Sequence, residues 1–131
     1  MNRLPLVLIP GTLCTKRAFA EQVASLSDLA EPFVRLPTEG ADLGVCAATV
    51  LERVPNRFAL LGFSLGGLVA LEILRRAPER VLRLCLISTN PRGSTPQNFE
   101  TWARWRQEAK AGGFADIIRA HADGVFCENR E

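Results

Sequence analysis

No CxxC pair occurs in this 131-residue chain, and its four cysteines, Cys14, Cys46, Cys85 and Cys127, stand 32, 39 and 42 residues apart. It has one histidine, His121. A zinc site would need scattered ligands, and a disulfide framework is not expected at this cysteine density. No apolar run approaches the roughly 18 residues that a membrane span needs. Arg3 precedes a short apolar stretch, Leu4–Ile9, but Pro5 and Pro10 interrupt or end it. No small-residue cleavage site follows, so it makes a poor signal peptide. A cytoplasmic, reducing compartment is expected, with the cysteines as small core residues. Charge of one sign is also lacking: 16 Lys and Arg against 14 Asp and Glu give a net +2. That balance argues against a nucleic-acid partner or a polybasic membrane surface. No GxGxxG is present, and the loop at Gly11 lacks the second glycine that a phosphate-cradling loop places before its lysine. No metal or organic cofactor is expected.

The composition is that of an ordinary globular domain: 47% apolar, 23% charged and 7% aromatic. Leu6-Val7-Leu8-Ile9 reads as a strand buried on both faces and closed by Pro10-Gly11. Phe19, Val23, Leu26 and Ala30 follow at helical spacing. Phe33–Leu36 reads as a second strand, and Leu43, Ala47, Val50, Leu51 and Val54 as the next helical stripe. Phe58–Leu61 is a third strand, Leu68–Arg76 suits a helix, and Val81–Ile87 is a fourth strand, with Cys85 expected to be buried and inert. Apolar strands alternating with helices predict parallel pairing and a three-layer α/β/α fold with about four strands. After residue 92 the pattern changes. Thr95-Pro96 fits a helix cap, Phe99, Trp102 and Trp105 recur at threes, and Gly112-Gly113 separates a second helical face of Phe114, Ile117, Ile118, His121 and Val125. The expected division is an α/β core over 1–92 and a helical, cap-like segment over 93–131.

Gly62-Phe63-Ser64-Leu65-Gly66 matches the GxSxG pattern of a nucleophile elbow. Glycine and serine are common, so the context matters more: a buried strand leads in and a helix leads out. The glycines at 62 and 66 remove side chains where the chain reverses, and the turn lifts Ser64 clear of the strand end. Acyl transfer builds negative charge on a carbonyl oxygen, and backbone N–H groups at a helix start can hold it. The N–H of Leu65 is the expected first donor. The second is assigned to Thr12, with Leu13 as fallback, in the loop Pro10-Gly11-Thr12-Leu13-Cys14.

With Arg75-Arg76-Ala77-Pro78-Glu79-Arg80-Val81, these motifs make residues 4 to 90 resemble the N-terminal half of an α/β-hydrolase fold protein. The family's usual His-Gly in the oxyanion loop stands here as Pro10-Gly11. The resemblance implies a serine hydrolase acting on a carboxylic ester or related small acyl substrate through Ser64. It also implies that the helices after Asn90-Pro91-Arg92 fall where the family has its variable cap. The family's triad runs Ser, then Asp or Glu, then His, each after a later strand. Neither acid nor base is identified here, so a truncated, nearly inactive chain is expected, and the alternative is a fragment or a non-enzymatic binding protein. His121 is more simply a cap or core residue than a base, and Asp116, five residues earlier, does not share its helical face. Trp102 and Trp105 are read as packing before pocket lining, and Cys14 as an ordinary thiol beside the loop. The fourth strand is expected to leave an open sheet edge prone to self-association.

Overall fold

The computed structural model describes residues 3–40 and 42–125. Cys127 lies outside them. The chain divides into two compact units, Met1–Pro91 and Arg92–Glu131.

The first unit holds strands β1 (Leu4–Ile9), β2 (Ala30–Val34), β3 (Phe58–Phe63) and β4 (Val81–Ile87). Helices α1 (Ala20–Leu26), α2 (Leu43–Glu52) and α3 (Leu65–Arg76) alternate with them. The strands form one parallel sheet in the order β2-β1-β3-β4. The chain moves from β1 to β2 in one direction, then crosses back to β3 and β4 in the other. Right-handed crossovers therefore put α1 on one face and α2 with α3 on the opposite face. The connections after β1 and β3 run to opposite faces, so the carboxyl ends of these two strands mark a topological switch point. Open α/β sheets bind ligands at such a switch point.

Period-two alternation explains the core. Val7, Ile9, Phe58 and Leu60 meet Ala47, Val50, Val69, Ala70 and Ile73 from α2 and α3. Leu8 faces the other way and is also fully buried, as expected of a central parallel strand.

Two sequence expectations shift. The second strand starts at Ala30 and ends at Val34, with Leu4 opposite Ala30 and Leu6 opposite Pro32. Ala30 is therefore a buried strand residue and does not extend the helical face of α1. Glu31 and Pro32 masked the strand in the sequence; a proline is tolerated because β2 is an edge among the described residues. The other shift is at Cys85, which is exposed. Its neighbours Leu84, Leu86 and Ile87 are 38%, 39% and 42% exposed. Beyond β3, β4 pairs with no strand among the described residues, so neither of its faces is fully covered.

Arg80 ties the sheet to the end of α2. Its Nε donates to the Asn56 carbonyl at 3.0 Å, and its Nη2 lies 3.1, 3.2 and 3.0 Å from the carbonyls of Leu51, Val54 and Pro55. The guanidinium also sits 5.6 Å from the Phe58 ring centroid. Helix C-termini leave carbonyls without intrahelical partners, and a cation there satisfies them. Arg80→Met keeps the stem and removes the donors. It is expected to cost about 2 kcal/mol, read as a lower urea midpoint with an unchanged slope; an unchanged midpoint would refute the tie.

The second unit is a helix pair, α4 (Pro96–Lys110) and α5 (Phe114–Val125). Thr95 caps α4 as its sequence predicts: the Asn98 N–H reaches Thr95 Oγ1 at 3.3 Å, and the Thr95 N–H reaches Asn98 Oδ1 at 2.9 Å. Pro96 takes the first helical position.

Candidate functional site

Ser64 is the single residue between β3 and α3. Its backbone stands at φ +53°, ψ −118°, a region that side-chain-bearing residues avoid. Holding a non-glycine residue there costs about 1–3 kcal/mol, and such outliers cluster where function needs them. The strain is what reverses the chain in one residue. A strand that simply ran into a helix would bury this side chain, whereas Ser64 is half-buried and open to solvent. Ser64→Gly is therefore expected to be more stable than Ser64→Ala by about 1 kcal/mol. Chemical denaturation of the two variants decides it, and equal midpoints would mean that the elbow is not strained.

Close backbone approach surrounds the serine. A Cβ on Gly62 would lie 2.5 Å from both the Gly66 carbonyl oxygen and Gly67 Cα. On Gly66 it would lie 2.0 Å from the Ile9 carbonyl oxygen. The first turn of α3 thus rests directly on the ends of β3 and β1. From the loop after β1, a Cβ on Gly11 would stand 3.0 Å from Ser64 Cβ, so this loop reaches the serine itself.

The same loop is a tight turn, closed by the Cys14 N–H on the Gly11 carbonyl at 3.3 Å. Leu13 occupies its third position with φ +59°, where glycine is usual. The N–H groups of Thr12, Leu13 and Leu65 donate to no acceptor among the described residues. Leu65 opens α3, and the first N–H groups of any helix lack intrahelical partners. Two sources of free donors, the β1 loop and the α3 N-terminus, therefore flank the switch point that carries Ser64.

The other candidate residues have surroundings of their own. In the second unit His121 packs edge-on against Trp105 at 6.0 Å, and Phe99 against Trp102 at 5.6 Å. Asp116 pairs with Arg119 at 2.8 Å. Cys14 is half-buried, and burial of Cys46 pushes its thiol pKa up, which makes it inert. No cluster of His, Cys, Asp or Glu among the described residues could hold a metal ion.

A crevice of about 260 Å³ opens between the end of β2 and α2, away from Ser64. Three of its four charged side chains, Arg35, Glu39 and Arg53, are engaged with one another. Arg35 donates to the Arg53 carbonyl at 3.3 and 2.9 Å, and Arg53 grips Glu39 at 2.6 and 2.8 Å. This contact holds the Glu39 carboxyl below the usual carboxylate range. The network fastens the segment after β2 to the end of α2.

Residues 87 to 89 were not legible as part of the site. The Ser64 N–H donates to the Ile87 carbonyl at 2.9 Å, Ser88 has φ +49°, and Thr89 Oγ1 lies 3.2 Å from the Ser64 carbonyl. The only sequence signal was Gly67, whose Cβ would fall 1.8 Å from Thr89 Oγ1. A glycine announces a close neighbour without saying which.

Comparison with known proteins bears on the family and the fold. The family model for the α/β-hydrolase fold matches residues 41–122. A pimeloyl-[acyl-carrier protein] methyl ester esterase of Aromatoleum aromaticum is 38% identical over 82 residues, covering 61% of this chain and 33% of that protein. The protein of the same name from Vibrio parahaemolyticus is 37% identical over 95 residues, covering 66% of this chain and 37% of the relative. The chain thus spans about a third of the length of these curated relatives. Among solved structures, a thermophilic esterase from Thermogutta terrifontis, with malate bound, superposes with a TM-score of 0.83 at 22% identity. That superposition covers 97% of this chain and 52% of the esterase. A parallel sheet with a strained serine at its switch point, and a family match over residues 41–122, lead to one conclusion: the chain belongs to the α/β-hydrolase fold family.

Proposed function

We propose that this chain carries the nucleophile and the oxyanion donors of a serine esterase. The observation that supports it best is a serine held at φ +53° between a buried strand and a helix. Gly62 and Gly66 allow that turn. In the proposed reaction, Ser64 Oγ bonds to the ester carbonyl carbon and gives up its proton to a base. The carbonyl oxygen becomes an oxyanion held by the Leu65 and Thr12 N–H groups, with Leu13 as the alternative to Thr12. The N-terminus of α3 adds its dipole to that charge. Collapse expels the alcohol, which takes up a proton, and water then releases the acid and restores Ser64. No part of this scheme is assigned to His121.

The relatives are named for a methyl ester carried on an acyl-carrier protein, which supports a carboxylic ester of an acyl chain as the substrate class. No metal or organic cofactor enters the scheme. In chain order, α4 and α5 fall where the family has its variable cap, and residues 93–131 are read as that segment. No described helix is long and apolar enough to cross a membrane, and a cytoplasmic setting is part of the proposal. The open edge of β4 is proposed to favour self-association.

An alkyl fluorophosphonate tests the assignment. Attack by Ser64 Oγ forms an O–P bond, breaks the P–F bond and releases fluoride, with the hydroxyl proton passing to solvent base. Peptide mapping is expected to find the adduct on Ser64. Labelling spread over other hydroxyls, with Ser64 unmodified, would sink the reading.

A further inference from the structure

Both main-chain groups flanking the Ser64 Cα are anchored to the end of β4. Its N–H donates to the Ile87 carbonyl at 2.9 Å. Its carbonyl accepts from the Gly67 N–H at 2.9 Å and from Thr89 Oγ1 at 3.2 Å. Thr89 Oγ1 also lies 3.2 Å from the Ile87 carbonyl. A hydroxyl has one proton, so it is shared between these two carbonyls. The result is a closed ring joining the Ser64 N–H, the Ile87 carbonyl, the Thr89 hydroxyl and the Ser64 carbonyl. The ring stands where the backbone is strained twice, at Ser64 (φ +53°) and Ser88 (φ +49°). The Thr89 side chain is held in register by Gly67, since a Cβ there would meet Thr89 Oγ1 at 1.8 Å and Cγ2 at 2.6 Å.

The Ser64 carbonyl and the Leu65 N–H belong to the same peptide group, which is planar. Fixing the direction of the carbonyl therefore fixes the direction of the N–H. Hydrogen bonds accepted by a carbonyl also polarise the N–H of its own peptide and strengthen it as a donor. We infer that Thr89 is a positioning residue: its hydroxyl orients and polarises the Leu65 N–H as the oxyanion donor. The inference rests on the reading of Ser64 as nucleophile. It predicts an effect on the step in which charge develops, and none on prior binding.

The test uses the full chain with an alkyl fluorophosphonate, comparing wild type, Thr89→Val and Thr89→Ser. Thr89→Val is expected to slow the saturating rate of Ser64 labelling about tenfold, with the half-saturating reagent concentration unchanged. Thr89→Ser, which keeps the hydroxyl, is expected to label within about threefold of wild type. A second readout is the Leu65 amide proton. On adduct formation it should move downfield in wild type and Thr89→Ser, and less so in Thr89→Val. If wild type labels at Ser64 and Thr89→Val matches it in rate and in amide shift, this inference falls and the nucleophile stands. If Thr89→Val does not fold, Thr89→Ser alone decides: a rate well below wild type overturns the role of the hydroxyl. If wild type is not labelled at Ser64 at all, the nucleophile reading and this inference fall together.

Discussion

Ser64→Ala is expected to abolish covalent capture by an alkyl fluorophosphonate. It is also expected to lower turnover of a chromogenic short-chain ester by the protein that carries this site, by at least about a thousandfold. The nucleophile is the atom that forms the new bond, so nothing else in the site replaces it. What survives is the part of catalysis that needs no serine. The Leu65 and Thr12 N–H groups would still stabilise charge on a carbonyl attacked by water, and such oxyanion holding with binding leaves about 10³ to 10⁴ over the uncatalysed reaction. Alanine keeps the Cβ and so keeps the strain at φ +53°. The loss of chemistry should therefore come with a thermal midpoint shifted by no more than a few degrees, on the order of what a surface substitution does. A variant that still turned over ester at the parent rate would remove Ser64 from the reaction altogether.

The central sheet was legible because its strands are continuous apolar runs. Leu6–Ile9 and Phe58–Leu61 have no other stable place than between two helical layers. The elbow was legible for a different reason. GxSxG states a backbone need, a sharp turn with no side chains on either flank, and the strand and helix on either side could be read independently of it. Thr95-Pro96 carried its cap in the same local way.

Features that depend on neighbours were not legible. The start of β2 hid behind Glu31 and Pro32, because whether a proline is acceptable in a strand depends on which edge is free. Cys85 sits in an apolar run indistinguishable from that of β3, yet it is exposed; burial is a property of what lies alongside a strand. Thr89 is the strongest case. A threonine two residues beyond a strand is unremarkable in sequence. Its place beside Ser64 follows from the register that sets Phe63 opposite Ile87.

Gly66→Ala is expected to destabilise the chain by at least about 3 kcal/mol, a loss of roughly 10 °C or more in the thermal midpoint at this chain length. The new methyl carbon would lie 2.0 Å from the Ile9 carbonyl oxygen, 2.5 Å from its carbon and 2.6 Å from the Pro10 carbonyl oxygen. These are backbone atoms at the end of β1, where Ile9 is fully buried and paired with Gly62 of β3. No side chain can rotate to make room, so α3 or β1 must move. The opposing effect is helix propensity, since alanine is favoured over glycine inside a helix by about 0.5–1 kcal/mol. That gain is too small to offset separating two packed elements. Gly124→Ala provides the internal control. Gly124 also lies in a helix, α5, but a Cβ there meets nothing within 4 Å. The same substitution should therefore raise stability there by up to about 1 kcal/mol, through propensity alone. Opposite signs at the two positions, read from urea midpoints, are the expected outcome. If both variants gained stability, α3 would not rest on the end of β1.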